Sequence, residues 1–214
     1  MKASWFDPGC RDCPRLARYL AGIRRTRRDY HAAPVPPFGD AKSRLLIVGL
    51  APGMHGANRT GRPFTGDHAG LLLYRTLHDL GLSNRPEASH RGDGLKLRHC
   101  RITNAVKCVP PENKPTADEI NNCNRYLRAE IESLPERAVL LALGGIAHRA
   151  ILKALALPQS RYAFAHGRVH PLPSGQRLVD SYHCSRYNTQ TGRLTPRMFT
   201  RALKRARDLA LADA

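Results

Sequence analysis

Apolar and polar positions divide the chain into alternating strand and helix units. Residues 44–49, with Leu45-Leu46-Ile47-Val48, form a short apolar run that predicts a buried strand. The run breaks into a loop containing Gly49, Gly53, Gly56, Gly61 and Gly66 with Pro52 and Pro63, and a helix is predicted over 71–80, closed by Gly81. A second strand, 101–108, ends at Val109-Pro110-Pro111. Thr116, with Glu119 three residues on, predicts a capping box opening a helix that carries Ile120, Cys123, Leu127 and Ile131 at helical spacing. A third strand, 138–143, meets Gly144-Gly145 and leads into a helix over 146–156. Residues 162–169 and 177–181 read as strands around the turn at 171–175, and an amphipathic helix runs from about 196 to 211. Ahead of these units, Leu16, Tyr19, Leu20 and Ile23 mark a first helix, and 31–39, with Pro34, Pro36 and Pro37, an extended connector. Residues 83–98 and 183–193 are polar and read as an exposed excursion and a loop. Strands alternating with helices predict an α/β domain with a mainly parallel sheet, and 214 residues are enough for one substantial core.

Charge narrows this picture. Thirty-five Lys and Arg against 17 Asp and Glu give a formal net charge of +18, which points to a nucleic-acid partner. The clusters at Arg24–Arg28 and Arg197–Arg207 lie at the chain's two ends, apart from the glycine loop, and each alone reads as a solvated helix face. No stretch approaches the roughly 20 apolar residues of a membrane span. The N-terminus, with Trp5, Asp7 and Cys10, lacks a secretory pattern. The expected setting is intracellular (cytoplasmic), without a membrane partner.

A buried strand feeding a glycine-rich turn is where open α/β sheets place ligands, and glycines admit a ligand close to the backbone. The loop lacks the Gly-Lys-Ser/Thr of a phosphate-binding loop, and no helix follows its first glycines as in a dinucleotide fold. It offers instead Arg59 and Arg62, the ring of Phe64 and the carboxylate of Asp67, a mixture suited to a nucleotide or base. Six cysteines inside a cell are poor candidates for disulfides. Cys10 and Cys13 form a C-x-x-C turn, Cys108 ends a strand and Cys123 sits one helical segment later. Such a set suits a four-thiolate metal site holding zinc or an iron–sulfur cluster. Spacing leans to zinc, although the second pair lacks a close C-x-x-C. Cys100 and Cys184 read as small buried residues.

Three segments carry a family likeness. Gly49-Leu50-Ala51-Pro52-Gly53 with Asn58 to Asp67 resembles the first motif of the family 5 uracil-DNA glycosylases. Thr103-Asn104-Ala105-Val106-Lys107-Cys108 with Pro110-Pro111 resembles their middle motif, and Ser181 to Leu194 is similar to their last. Cys10, Cys13, Cys108 and Cys123 match the family's cluster ligands in order and approximate spacing. The likeness implies a three-layer α/β/α sandwich formed by one domain over 1–214. It also implies that a structural [4Fe-4S] cluster ties down residues 1–40, with zinc as the alternative, and that uracil and related damaged bases are excised from DNA by a monomer.

The implied roles fall on particular residues. Phe64 stacks on a flipped base within reach of the Gly53 amide, and Asn104 reads the edge of uracil with its donor and acceptor. His183 donates to uracil O2 as negative charge builds on the departing base. His55, inside the pocket loop, is a further base contact. Asp67 takes the place of the polar or acidic residue that other families carry where Leu50 and Ala51 stand here. Preceding a helix, it is equally a candidate N-cap. Arg59, Arg62, Ser185, Arg186, Tyr187, Asn188 and Arg193 are the expected DNA contacts, with Arg186 and Tyr187 able to fill the gap left by a flipped nucleotide. Two rival readings are a non-enzymatic nucleic-acid-binding module with structural zinc and a hydrolase or transferase acting on free nucleotides.

Overall fold

The computed structural model describes residues 5–212, so the ends of the expected domain, 1–4 and 213–214, lie outside the described residues. The elements are, in chain order, α1 (Pro14–Thr26), β1 (Phe38–Gly39), β2 (Leu45–Gly49), α2 (Ala57–Thr60), α3 (His68–Asp79), β3 (Cys100–Asn104), α4 (Ala117–Glu132), β4 (Val139–Leu143), α5 (Gly145–Ala154), β5 (Val169–Pro171), β6 (Arg177–Ser181), α6 (Arg186–Gln190) and α7 (Pro196–Leu211). They build a six-stranded sheet in the order β1-β3-β2-β4-β6-β5. The four inner strands run parallel, and the short edges β1 and β5 are antiparallel.

Burial on both faces explains the continuous apolar runs of the inner strands. Successive side chains of β2 alternate. Leu45 and Ile47 enter one core with Leu73 and Leu77 of α3 and Phe199 and Leu203 of α7. Leu46 and Val48 enter the other with Leu127 and Ile131 of α4 and Ala147 and Ile151 of α5. The result is three layers, with α1 packed outside through Leu16, Leu20 and Ile23. From β2 the chain passes to β3 on one side and then to β4 on the other. The topological switch therefore lies at the carboxyl end of β2, where the glycine loop begins.

The boundaries depart most from the sequence expectation in four places. Helix α3 opens at His68 rather than 71, because Asp67 caps it. Strand β3 stops at Asn104. Beyond it the Ala105 and Val106 amides donate to the Gly49 and Leu50 carbonyls, and the chain leaves the sheet for α1. Residues 162–168 are not strand; they fold over the buried Asp180, whose carboxylate bonds His148 and His170 and accepts from the Ala165 amide. The 183–193 loop contains α6, which the Ser185 hydroxyl caps by accepting from the Asn188 amide.

Candidate active site

The carboxyl ends of β2, β3 and β6 converge on a pocket of about 390 Å³. Of the residues picked out by sequence, Gly53, Phe64, Asp67, Asn104, His183, Ser185 and Arg186 line it. The glycines are what allow this crowding. A Cβ on Gly49 would stand 2.5 Å from Asn104 Oδ1 and 2.6 Å from the Phe64 ring. One on Gly70 would lie 1.8 Å from the Phe64 carbonyl oxygen. Phe64 itself holds a left-handed backbone with φ 53°, a conformation costing on the order of 1–2 kcal/mol for a bulky residue. The buried Tyr74 hydroxyl secures the turn by donating to the Pro63 carbonyl at 2.7 Å.

The Phe64 ring lies near-parallel to the His183 imidazole, with centroids 6.0 Å apart and an interplanar angle of 28°. Burial pushes the His183 pKa down to about 4, so the ring is neutral at pH 7. Its loop is fixed from two sides: Asn188 Nδ2 donates to the His183 carbonyl at 2.8 Å, and the Gly144 amide donates to the Ser181 carbonyl at 2.7 Å. Asn104 Oδ1 is buried and has no hydrogen-bond partner among the described residues. An orphaned acceptor of this kind costs about 1–3 kcal/mol, which a ligand donor can recover.

Asp67 is the N-cap of α3: Oδ1 accepts from the Gly70 amide at 2.9 Å. Its other oxygen packs against Gly56, where a Cβ would stand 2.3 Å away. Burial raises the Asp67 pKa above the ordinary carboxylate value, offset in part by the Gly70 hydrogen bond. The carboxylate is thus both a cap and a charge held at low dielectric on the pocket wall.

The structure separates the remaining expected DNA contacts. Arg59, Arg186, Tyr187 and Arg193 are exposed, and the Arg193 guanidinium lies 4.8 Å from the Tyr182 ring centroid. Asn188 is spent in part on the His183 carbonyl. Arg62 is not a phosphate contact: it is 3 % exposed, and its two terminal nitrogens bond the Asp93 carboxylate at 2.9 and 2.5 Å. That pairing holds the Asp93 pKa far below the usual carboxylate range and pins the 83–98 excursion to the glycine loop. His55 lies outside the pocket, exposed, with Nδ1 against the Tyr30 hydroxyl at 2.7 Å. Two polar lining residues escaped sequence reasoning. His68 bridges to Thr189 Oγ1 at 3.0 Å. Asn113 follows Glu112, and both take a left-handed backbone with φ 57° and 54°. The Pro-Pro-Glu-Asn composition carries a turn signal that could have drawn attention to Asn113.

Cys10, Cys13, Cys108 and Cys123 line one mainly apolar cavity with Leu16, Val106 and Tyr126. All four are free thiols. Burial is the main cause of a raised Cys108 pKa, pushed up to about 12, and the neighbouring sulfurs add to it. The Lys107 amide donates to Cys123 Sγ at 3.3 Å and Asn122 Nδ2 to Cys13 Sγ at 3.9 Å. Four convergent sulfurs, an apolar surround and N–H donors to sulfur fit a thiolate-bound metal or cluster.

The chain matches the uracil DNA glycosylase superfamily over residues 36–207. It is 51% identical over 206 residues to the type-5 uracil-DNA glycosylase of Thermus thermophilus, covering 94% of each chain. It is 46% identical to the type-5 enzyme of Pyrobaculum aerophilum, over 94% of this chain and 92% of the relative, and 43% identical to that of Mycobacterium leprae, over 94% and 91%. With matches of this extent over a sheet that ends in such a pocket, the chain belongs to the uracil-DNA glycosylase superfamily and, within it, to the type-5 uracil-DNA glycosylases.

Proposed function

We propose that this protein is a monofunctional DNA glycosylase that excises uracil and related deaminated bases, leaving an abasic site. The observation that carries the reading is the pocket's polarity pattern: a buried, unpartnered Asn104 oxygen beside an aromatic ring and a neutral imidazole. A base edge supplies the missing donor, because uracil N3–H meets a carbonyl acceptor. Phe64 stacks on the extruded ring, and reaching that position costs a few kcal/mol of unstacking. As the C1′–N1 bond breaks, the base leaves with the electron pair, and neutral His183 donates a hydrogen bond to O2. Asp67 faces the cationic sugar and orients the attacking water. The water oxygen bonds to C1′, one proton passing to the released base.

On this reading Ser185, Arg186 and Tyr187 would enter the gap left in the duplex, and Arg59 and Arg193 would meet phosphates; the exposure of Arg186, Tyr187, Arg59 and Arg193 supports it. The four cysteines would hold a [4Fe-4S] cluster whose contribution is structural, joining the N-terminal segment to the turn after β3. Hydrolysis of the bond requires no electron. Incubation with oligonucleotides carrying single lesions, followed by cleavage at abasic sites, tests the assignment. Product from uracil-containing strands is expected, and activity on free nucleotides alone would overturn it. Visible absorption that bleaches with dithionite identifies the cluster, whereas a colourless protein with four-thiolate zinc refutes it.

A further inference from the structure

We infer that the segment joining α1 to the extended connector is a second DNA-backbone contact, continuous with the pocket rim. The inference rests on the glycosylase reading for the identity of its partner. By sequence, Arg24–Arg28 stand apart from the glycine loop. The fold closes that gap. The His31 and Ala32 amides donate to the Arg59 and Asn58 carbonyls at 3.0 Å each, so the 27–32 turn lies along α2 of the pocket loop. Tyr30 then meets His55: the hydroxyl bonds Nδ1 at 2.7 Å, and the rings stand edge-on with centroids 6.1 Å apart. Arg59 Nε donates to the His55 carbonyl at 2.8 Å, and the Arg27 guanidinium sits 5.3 Å from the Tyr30 ring centroid. Arg27, Tyr30, His55 and Arg59 thus form one linked strip.

Not every arginine there is free for a ligand. Arg24 donates to the Ala32 carbonyl at 3.2 Å, and Arg24 and Arg25 occupy the last turn of α1, where cations suit the helix dipole. Arg27 and Arg28 lie beyond the helix, and Arg25, Arg27 and Arg28 are all exposed. None of the three has a carboxylate ion-pair partner among the described residues, although Asp29 is their neighbour in the chain. Exposed guanidinium groups without a carboxylate partner, one of them over the Tyr30 ring, at the edge of a base-binding pocket, match the charge of a phosphodiester backbone. The strip belongs to the glycine-loop wall, whereas Ser185 and Arg186 belong to another wall. The two therefore hold the strand at different points along its path.

The test is the salt dependence of binding to an uncleavable uracil-analogue duplex. Each lost phosphate contact lowers the slope of log K against log salt by about 0.9. The R25Q/R27Q/R28Q variant is expected to lose about 2–3 from that slope. The charge-matched R197Q/R201Q/R205Q variant on α7 is expected to keep it. An unchanged slope in the first variant, or an equal loss in both, overturns the inference. If the triple variant does not fold, R27Q and R28Q alone must each show a drop of about 1. Wild-type excision in the abasic-site assay is scored separately, so a protein that binds with this slope yet removes no base would refute the glycosylase reading and leave the strip standing.

Discussion

Asp67→Asn separates the cap that this carboxylate provides from the electrostatic role proposed for it. Asn and Asp are near-equal N-caps, so the amide can still accept from Gly70 and stability should change by about 0.5 kcal/mol or less. The negative charge, however, is gone. A carboxylate about 4 Å from a developing sugar cation, at an effective dielectric of about 20, is worth roughly 4 kcal/mol. That corresponds to about a thousandfold in rate. The burial that raises the Asp67 pKa is the same low-dielectric setting that makes the charge effective. Single-turnover excision from a uracil duplex, read beside the melting temperature, is the assay. The expected result is a rate lower by about 10²–10³ with an unshifted melt, whereas Asp67→Ala should lose the rate and also about 1 kcal/mol of capping. A D67N rate within threefold of wild type would refute the electrostatic role and leave Asp67 as a cap alone.

Other perturbations reach the same wall and the core behind it. On the proposed mechanism excision uses an ionised Asp67 and a neutral His183, so both groups remove activity only on the acid side. With the His183 pKa near 4 and the Asp67 pKa raised by burial, the acid limb of the wild-type pH–rate profile should lie above the ordinary carboxylate value. In D67N the surviving limb should sit near pH 4; a limb centred near 6.5, the ordinary histidine value, would contradict a neutral ring before catalysis. Gly56→Ala drives a methyl to within 2.3 Å of Asp67 Oδ2, so the carboxylate must swing off Gly70. Loss of about 1 kcal/mol in urea unfolding together with slowed excision is expected, and wild-type excision would show that the carboxylate's position is unimportant. In the core, Glu130 Oε2 lies 3.3 Å from Lys107 Nζ, and Oε1 lies 3.1 Å from Arg101 Nε at an angle short of a hydrogen bond. Glu130→Gln leaves two buried cations facing a neutral amide, and urea titration should show a loss of about 3–5 kcal/mol; a loss under 1 would mean that solvent reaches the cluster.

What the chain reveals before folding depends on how far apart the interacting residues lie. Thr116 and Glu119 form the expected capping box because a cap is decided within four residues. Asn104 could be placed at the pocket because a polar residue in an apolar strand demands a partner. Arg62 could not be read correctly, since its fate rests on Asp93, 31 residues on, in a segment whose polar composition resembles free loop. His55 stood inside the right loop, but its direction follows from Tyr30 in a separate segment. The left-handed turn at Phe64 was equally hidden. Nothing in a phenylalanine announces that backbone; the constraint comes from Gly70 and Tyr74, which hold the turn from the other side.

The pocket and the cysteine cavity meet in one short turn. Asn104 ends β3 facing the pocket, and Cys108 faces the cavity four residues later. Between them the Ala105 and Val106 amides donate to the Gly49 and Leu50 carbonyls, tying the turn to the glycine loop at its first residues. The Lys107 amide in the same turn donates to Cys123 Sγ, and its ammonium reaches back to Glu130. Five consecutive residues therefore contribute a pocket side chain, the loop's anchor, a sulfur's hydrogen bond, a buried charge cluster and a thiol. The four cysteines and the pocket are therefore coupled through one turn of the backbone. A metal or cluster held by those sulfurs would fix the chain direction after β3, and that direction sets where Asn104 presents its unpartnered oxygen.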